Sequence, residues 1–191
     1  ITNIDSIGAD TYSADADSTT RIQMSATSID VLVEDEDVFD VNSTTLNVSG
    51  TLVAKKRKLA KTSNTDASAD GDIVYFGATT SMDAGKIYYY TAGGAWALAD
   101  ADAESTAKGM LAVALGSASD TNGMLIRGMV TLDTDPGTIG DTLFLSTTAG
   151  VATSTAPSGN GDIVRVIGYC LDSTNGQIYF NPDGTFVEVT A

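Results

Sequence analysis

Arg21-Ile22-Gln23-Met24-Ser25, Ile29-Asp30-Val31-Leu32-Val33, Phe39-Asp40-Val41 and Leu46-Asn47-Val48 are the stretches on which the fold of this chain turns. In each, apolar and polar residues alternate with a period of two. That is the pattern of a strand with one face buried and one face wet. The runs recur about every eight residues, with short turn segments between them. Strands this short, in a segment of some thirty residues, give too little area to shelter one apolar face, and an isolated hairpin is marginal in water. The face therefore needs a cover. The reading adopted is an extended, intertwined β shaft in which three copies of the chain meet. Ile22, Met24, Ile29, Val31, Val33, Phe39, Val41, Leu46 and Val48 are then the candidates for the threefold axis. The competing reading is a small meander docked on whatever follows it.

Working outward, residues 1–20 are rich in Ser, Thr, Asp and Ala, with Ile4, Ile7 and Tyr12 scattered among them. They are expected to be extended and ordered only against a partner. On the other side, Lys55, Lys56, Arg57, Lys58 and Lys61 form a basic connector, followed by a Ser/Asn/Thr/Asp/Ala-rich stretch over 62–70 that reads as a linker. The domain division expected is 1–63 for shaft and connector and 64–191 for a compact all-β domain, a barrel or a sandwich.

That second domain carries eight expected strands: Ile73 to Phe76, Lys86 to Tyr90, Leu111 to Leu115, Met124 to Leu132, Thr142 to Leu145, Val164 to Tyr169, Gln177 to Phe180 and Phe186 to Val189. Turn chemistry such as Thr121-Asn122-Gly123, Asp135-Pro136-Gly137 and Thr174-Asn175-Gly176 separates them. Ala97 to Lys108 is the helix candidate, but it lacks an apolar stripe and is expected to give a single turn. Gly71-Asp72-Ile73-Val74 echoes Gly161-Asp162-Ile163-Val164 and, loosely, Gly140-Asp141-Thr142-Leu143; Gly85-Lys86-Ile87-Tyr88 echoes Gly176-Gln177-Ile178-Tyr179. Shared Gly-Asp turns before strands account for this as well as duplication does. In Tyr88-Tyr89-Tyr90 the middle residue is expected on the face opposite its neighbours.

Composition narrows the chemistry. Among the 191 residues there is no histidine, which removes the commonest general base, the usual activator of Ser and Cys, and the imidazole metal ligand. A Ser-Lys pair would have to use Lys86 or Lys108, and neither lies in a recognisable motif. Paired carboxylates for glycoside hydrolysis remain the more serious enzymatic reading, yet the Asp residues sit mostly in turns beside Gly, Ser or Thr, where they bond local backbone. No enzyme is expected, and no cofactor. Glu34-Asp35-Glu36-Asp37 and Asp133-Thr134-Asp135 with Asp141 offer the hard oxygens that calcium takes; neither follows the EF-hand pattern, so solvated or locally bonded acidic turns are the first reading of both, and calcium bridging chains is the alternative. Glycine-rich pieces such as Ser158-Gly159-Asn160-Gly161 lack the Lys-Ser/Thr ending of a phosphate loop.

The net charge of −15 repels nucleic acid and anionic membranes, so neither is an expected partner. The basic run 55–61 resembles a nucleic-acid patch, but it sits beside a segment, residues 1–50, that holds ten acids and one base, and neutralising it is the better use. Cys170 stands alone in the run Ile167-Gly168-Tyr169-Cys170-Leu171 and is expected to be a small buried hydrophobe. No stretch approaches a membrane span, and no signal peptide is visible. The chain opens on Ile1, which reads as a fragment or a processed product.

Four stretches also carry a resemblance: Gly71-Asp72-Ile73-Val74-Tyr75-Phe76-Gly77, Gly109-Met110-Leu111-Ala112-Val113-Ala114-Leu115-Gly116, Gly123-Met124-Leu125-Ile126-Arg127-Gly128 and Gly176-Gln177-Ile178-Tyr179-Phe180-Asn181-Pro182-Asp183. Together they resemble structural proteins of tailed bacteriophages, fibre-like proteins of marine phages and cyanophages above all, and the runs after Arg21 are similar to their β-structured shafts. The resemblance implies a virion component, usually trimeric. Its partners would be copies of itself, other virion proteins, and a host receptor or glycan. Host attachment is the role expected first. A capsid decoration or head fibre is the alternative within that class; a glycan-degrading tailspike and a bacterial surface filament subunit lie outside it.

Overall fold

The structure is a computed structural model. It describes residues 57–190, residue 51, and the backbone of five earlier strands, with Val48 the one position in those strands whose side chain is described. The expected extended segment 1–20, apart from Thr11–Ser13, lies outside the described residues, as do Glu34, Asp35, Lys55 and Lys56. The chain divides into two compact units at Arg57/Lys58.

The first unit holds β1 (Thr11–Ser13), β2 (Arg21–Met24), β3 (Ser28–Val33), β4 (Glu36–Asn42) and β5 (Leu46–Val48). They form an antiparallel meander in sequence order. β2 to β5 lie where period-two alternation predicts strands. β1 is an addition: Thr11–Ser13 pairs with Arg21–Gln23.

The second unit is almost wholly β. Its strands are β6 (Ala69–Val74), β7 (Ile87–Tyr90), β8 (Trp96–Leu98), β9 (Leu111–Ala114), β10 (Met124–Thr131), β11 (Thr142–Leu145), β12 (Ala152–Thr153), β13 (Ile163–Val164), β14 (Val166–Cys170), β15 (Gln177–Phe180) and β16 (Val187–Glu188). Two single helical turns interrupt them, α1 (Glu104–Ala107) and α2 (Ser119–Asn122). The single turn expected within Ala97 to Lys108 is α1, and Trp96–Leu98 before it pairs with β7 as strand β8.

The main sheet has nine antiparallel strands and curls into a half-barrel. Its spine is β10. One edge of β10 pairs with β6 along its length. The other edge takes two strands in succession, β9 at Met124–Leu125 and β15 at Gly128–Thr131. Between them sits a bulge: Leu125 faces Ile73 and Arg127 faces Asp72, leaving Ile126 extra. A bulge advances the side-chain phase by one residue. Leu125 and Val130, five apart, accordingly join the same buried cluster, whereas an unbroken strand would put them on opposite faces.

The curl has a visible cause in a row of residues across the sheet: Gly168 faces Phe180, Phe180 faces Gly128, and Gly128 faces Gly71. A Cβ on Gly168 would lie 2.0 Å from the Tyr179 carbonyl oxygen, and one on Gly128 would lie 2.4 Å from that of Asp70, both with φ in the region L side chains avoid. Main chain of the neighbouring strands occupies the space beside Gly128 and Gly168, and Phe180, fully buried, stands between them in the row.

Two apolar clusters cover the two faces. The inner one contains Ile87, Leu111, Val113, Leu125, Leu143, Ile167, Ile178 and Phe180. The smaller one, on the opposite face of β7, β9 and the start of β10, contains Met82, Tyr88, Trp96, Ala112, Ala114 and Met124. Tyr89 packs against the inner cluster while Tyr88 and Tyr90 belong with the outer one, as alternation requires. Cys170 is buried in the inner cluster.

Two expectations need correction. Residues 62–70 are not a free linker. Gln177 Nε2 donates to the Thr62 carbonyl and to Asn64 Oδ1, both at 2.9 Å, and Thr131 Oγ1 donates to the Ser63 carbonyl at 2.6 Å. Thr131 and Gln177 are buried polar residues on the outer face, and residues 62–64 accept from the Thr131 hydroxyl and the Gln177 amide N–H groups, while Gln177 Oε1 is left without a partner. Gly71-Asp72 is not a turn before a strand like Gly161-Asp162 and Gly140-Asp141, but the interior of β6.

Candidate functional site

In the first unit the register decides which positions share a face, since residues directly opposite in an antiparallel pair lie on the same side. Met24 faces Ile29, Ile29 faces Val41 and Val41 faces Leu46. Ile22 faces Val31, Val31 faces Phe39 and Phe39 faces Val48. Val33 follows Val31 by two along β3, and Tyr12 extends the second row opposite Ile22. Every axis candidate read from the sequence is therefore a position on one face of a single five-stranded layer. The other face carries the row Gln23, Asp30, Asp40 and Asn47. The layer is thus two-sided, apart from Leu32 on the polar face and Glu36 opposite Val33 on the apolar one. Of the candidates, Val48 is half-buried; the side chains of the rest lie outside the described residues.

In the second unit the groups with chemical potential are engaged in structure. Lys86 Nζ pairs with Asp133 Oδ2 at 3.1 Å and Lys108 Nζ with Glu104 Oε1 at 3.3 Å, so the two lysines weighed for a Ser-Lys site are both ion-paired. Asp141 Oδ2 accepts from the Thr138 N–H, and Asp162 Oδ2 from the Gly159 N–H. These are carboxylates closing their own turns. Arg165, 5% exposed, has no carboxylate against its guanidinium; it donates to the carbonyls of Asp183, Ala107 and Gly109. Burial pulls its pKa down, offset in part by Asp183. It ties the end of α1 to the chain before β16. Burial pushes the Cys170 thiol up, so it is a poor nucleophile.

Among the described residues no group of three or more acids or cysteines is arranged to hold a metal ion. Asp133 and Asp135 do line one shallow hollow of about 190 Å³ together with Asp66, Asn64 and Asn175. A second hollow, about 290 Å³, is lined by Ser146, Thr153, Thr155, Ser158 and Asp162. Neither has an aromatic wall.

The aromatics sort cleanly. Trp96 is 4% exposed; its Nε1–H donates to the Phe76 carbonyl at 2.8 Å, and its ring stands 4.9 Å from that of Tyr90 and 5.5 Å from that of Phe76. It is a core residue with a satisfied polar atom. Among the described residues Tyr75 and Tyr169 are the exposed tyrosines, at 59% and 48%. Sequence reasoning leaves open which aromatics face outward, because alternation fixes relative faces but not which of the two is covered.

No protein-family model matches the chain, and no curated protein or solved structure matches it either.

Proposed function

We propose that this chain is a non-enzymatic, homotrimeric, fibre-like virion protein whose work is geometry and binding, with attachment to a host surface as its role. One observation carries the reading: the first unit is a single layer with nine apolar positions on one face and a polar row on the other. A single layer cannot cover its own apolar face. Three copies wound about one axis would bury all nine positions and leave Asp30, Asp40 and Gln23 to water. The absence of histidine, the ion-paired lysines and the turn-bound carboxylates support a role without catalysis. The resemblance of the second unit to phage fibre proteins supports the virion.

Sedimentation of the purified full chain tests the oligomer. A closed species of three chains, unchanged in size over a wide range of concentration, is the expected result. A well-folded single copy in dilute solution overturns the reading, and open-ended polymers favour a filament subunit instead.

A further inference from the structure

Bases are scarce in this chain and unevenly placed. Of the ten, five stand in Lys55-Lys56-Arg57-Lys58 and Lys61. The other five are held in structure. Lys86 and Lys108 are ion-paired with Asp133 and Glu104. Lys108 also sits between the carbonyls of Ala107 and Gly109, both gripped by the buried Arg165. Arg127 lies inside β10, opposite Asp72 of β6, and Arg21 lies in β2 between Ser13 and Leu32. Lys61 is exposed, but it pairs with Asp172 at 3.1 Å, and its neighbours are bonded: the Ala60 N–H donates to Asp70, and the Thr62 carbonyl accepts from Gln177. Arg57 and Lys58 differ from all of these. Both are exposed, on backbone outside any helix or strand, and the chain divides into its two compact units between them. No acid stands between Asp40 and Asp66, the longest interval without one in the sequence.

We infer that the run Lys55 to Lys58 is a built-in cleavage site for a serine protease of the trypsin type, cut between Arg57 and Lys58. Such an enzyme seats the residue before the scissile bond in a pocket that carries a carboxylate, so it requires Lys or Arg there. Acids beside the bond would repel that pocket, and this is the stretch of chain that has none. The enzyme also needs extended chain in its cleft. An exposed connector offers it as it stands, whereas a base inside a paired strand is reached only after local opening, which slows the cut. Connectors between compact units are where such nicking concentrates. In the step itself water adds across the peptide bond. Its oxygen goes to the Arg57 carbonyl carbon, the bond to the Lys58 nitrogen breaks, and an Arg57 carboxylate and a Lys58 ammonium result. The cut spares the second unit, whose first anchors lie downstream: Ala60 on Asp70, Lys61 on Asp172, and Thr62 and Ser63 on Gln177 and Thr131. Strands β1 to β5 lie wholly upstream. Cleavage therefore severs the polypeptide link between the two units without breaking a strand of either. The inference uses sequence, exposure and local bonding alone and stands apart from the trimer reading.

Limited digestion of the full chain with trypsin, followed by intact mass, is the test. The first cut is expected within the run, principally after Arg57, at least about a hundredfold faster than any cut at Lys86, Lys108, Arg127 or Arg165. The larger product, residues 58–191, should keep the emission that Trp96, the single tryptophan, has in the uncut chain. Replacing the four bases together, Lys55→Gln, Lys56→Gln, Arg57→Gln and Lys58→Gln, should remove the early cut and leave the Trp96 emission unchanged. A first cut elsewhere in the parent, Lys61 and Arg21 included, overturns the site. So does a run that resists trypsin at low salt and is cut only at high salt, because its bases are then held by carboxylates. A fourfold variant that is cut at Lys61 as fast as the parent is cut in the run overturns it as well, since the connector is then open but the run is not what the enzyme selects.

Discussion

Gly168 has no space for a side chain. The 2.0 Å approach to the Tyr179 carbonyl is main chain against a would-be Cβ, so no rotamer relieves it. Gly168→Ala should cost about 3 kcal/mol, within the range for overpacking plus a disfavoured φ, read as a lowered midpoint in denaturant unfolding. Arg165 makes a different demand. Replacing it by Met fills much of the volume but strands three carbonyls that it serves. A loss of about 3 kcal/mol is expected from unsatisfied acceptors alone, and calorimetry of Arg165→Met measures it. Asp172 governs the acid limb. Its carboxylate accepts from the Thr174 backbone N–H, then from Lys61 and the Thr174 hydroxyl, with Asn175 adding a weaker bond. These hold its pKa well below the usual carboxylate range. A depressed folded value means that the stabilisation is complete above the unfolded pKa, near 3.9, and disappears as pH falls below it toward the folded value. Acid unfolding curves of Asp172→Asn should therefore show a shallower loss below about pH 4 than the parent does.

At the scale of elements, β10 explains most of the second unit. It is long enough to serve β9 and β15 in turn on one edge, and its bulge changes phase between them. Its existence was legible in Met124 to Leu132, because nine mostly apolar residues between Asn122-Gly123 and Asp135-Pro136-Gly137 have no better use. Its bulge was not, since the alternation of Met124 to Leu132 gives no sign that Ile126 is unpaired. β8 and β12, of three and two residues, escape period-two reading for lack of length. In the first unit the pairings of β2 to β5 make a sharp test. Ile29 faces both Met24 and Val41 at the centre of the apolar face. In the proposed trimer Ile29→Asp should cost several kcal/mol, because three charges would enter one apolar seam. Unchanged melting and unchanged sedimentation would show that the face is not a seam.

For the whole molecule, the two units put different constraints on function. The second has a filled core and can stand as one body. The first has one layer and an apolar side that asks for company. A chain carrying −15 does not associate readily with itself unless apolar area outweighs the repulsion. The nine apolar positions of the first unit are where such area is sought. Imaging of labelled chain on a virus particle should show one projecting density per three copies. Density spread evenly over a capsid lattice would favour the decoration role over the attachment role.

The sequence alone determined the all-β class, the alternation that puts nine apolar positions of the first unit in phase, the poverty of catalytic groups, and the burial of Cys170. These are local or compositional properties: alternation needs only neighbours along the chain, and a missing residue type is missing in any fold. Only the tertiary structure decided that 62–70 is bound, that Gly71, Gly128 and Gly168 stand in one row about Phe180, and that Tyr169 is exposed while Trp96 is buried. Each of these depends on which distant strands pair and in what register. A one-residue bulge, invisible in the letters, is enough to exchange the two faces of a strand.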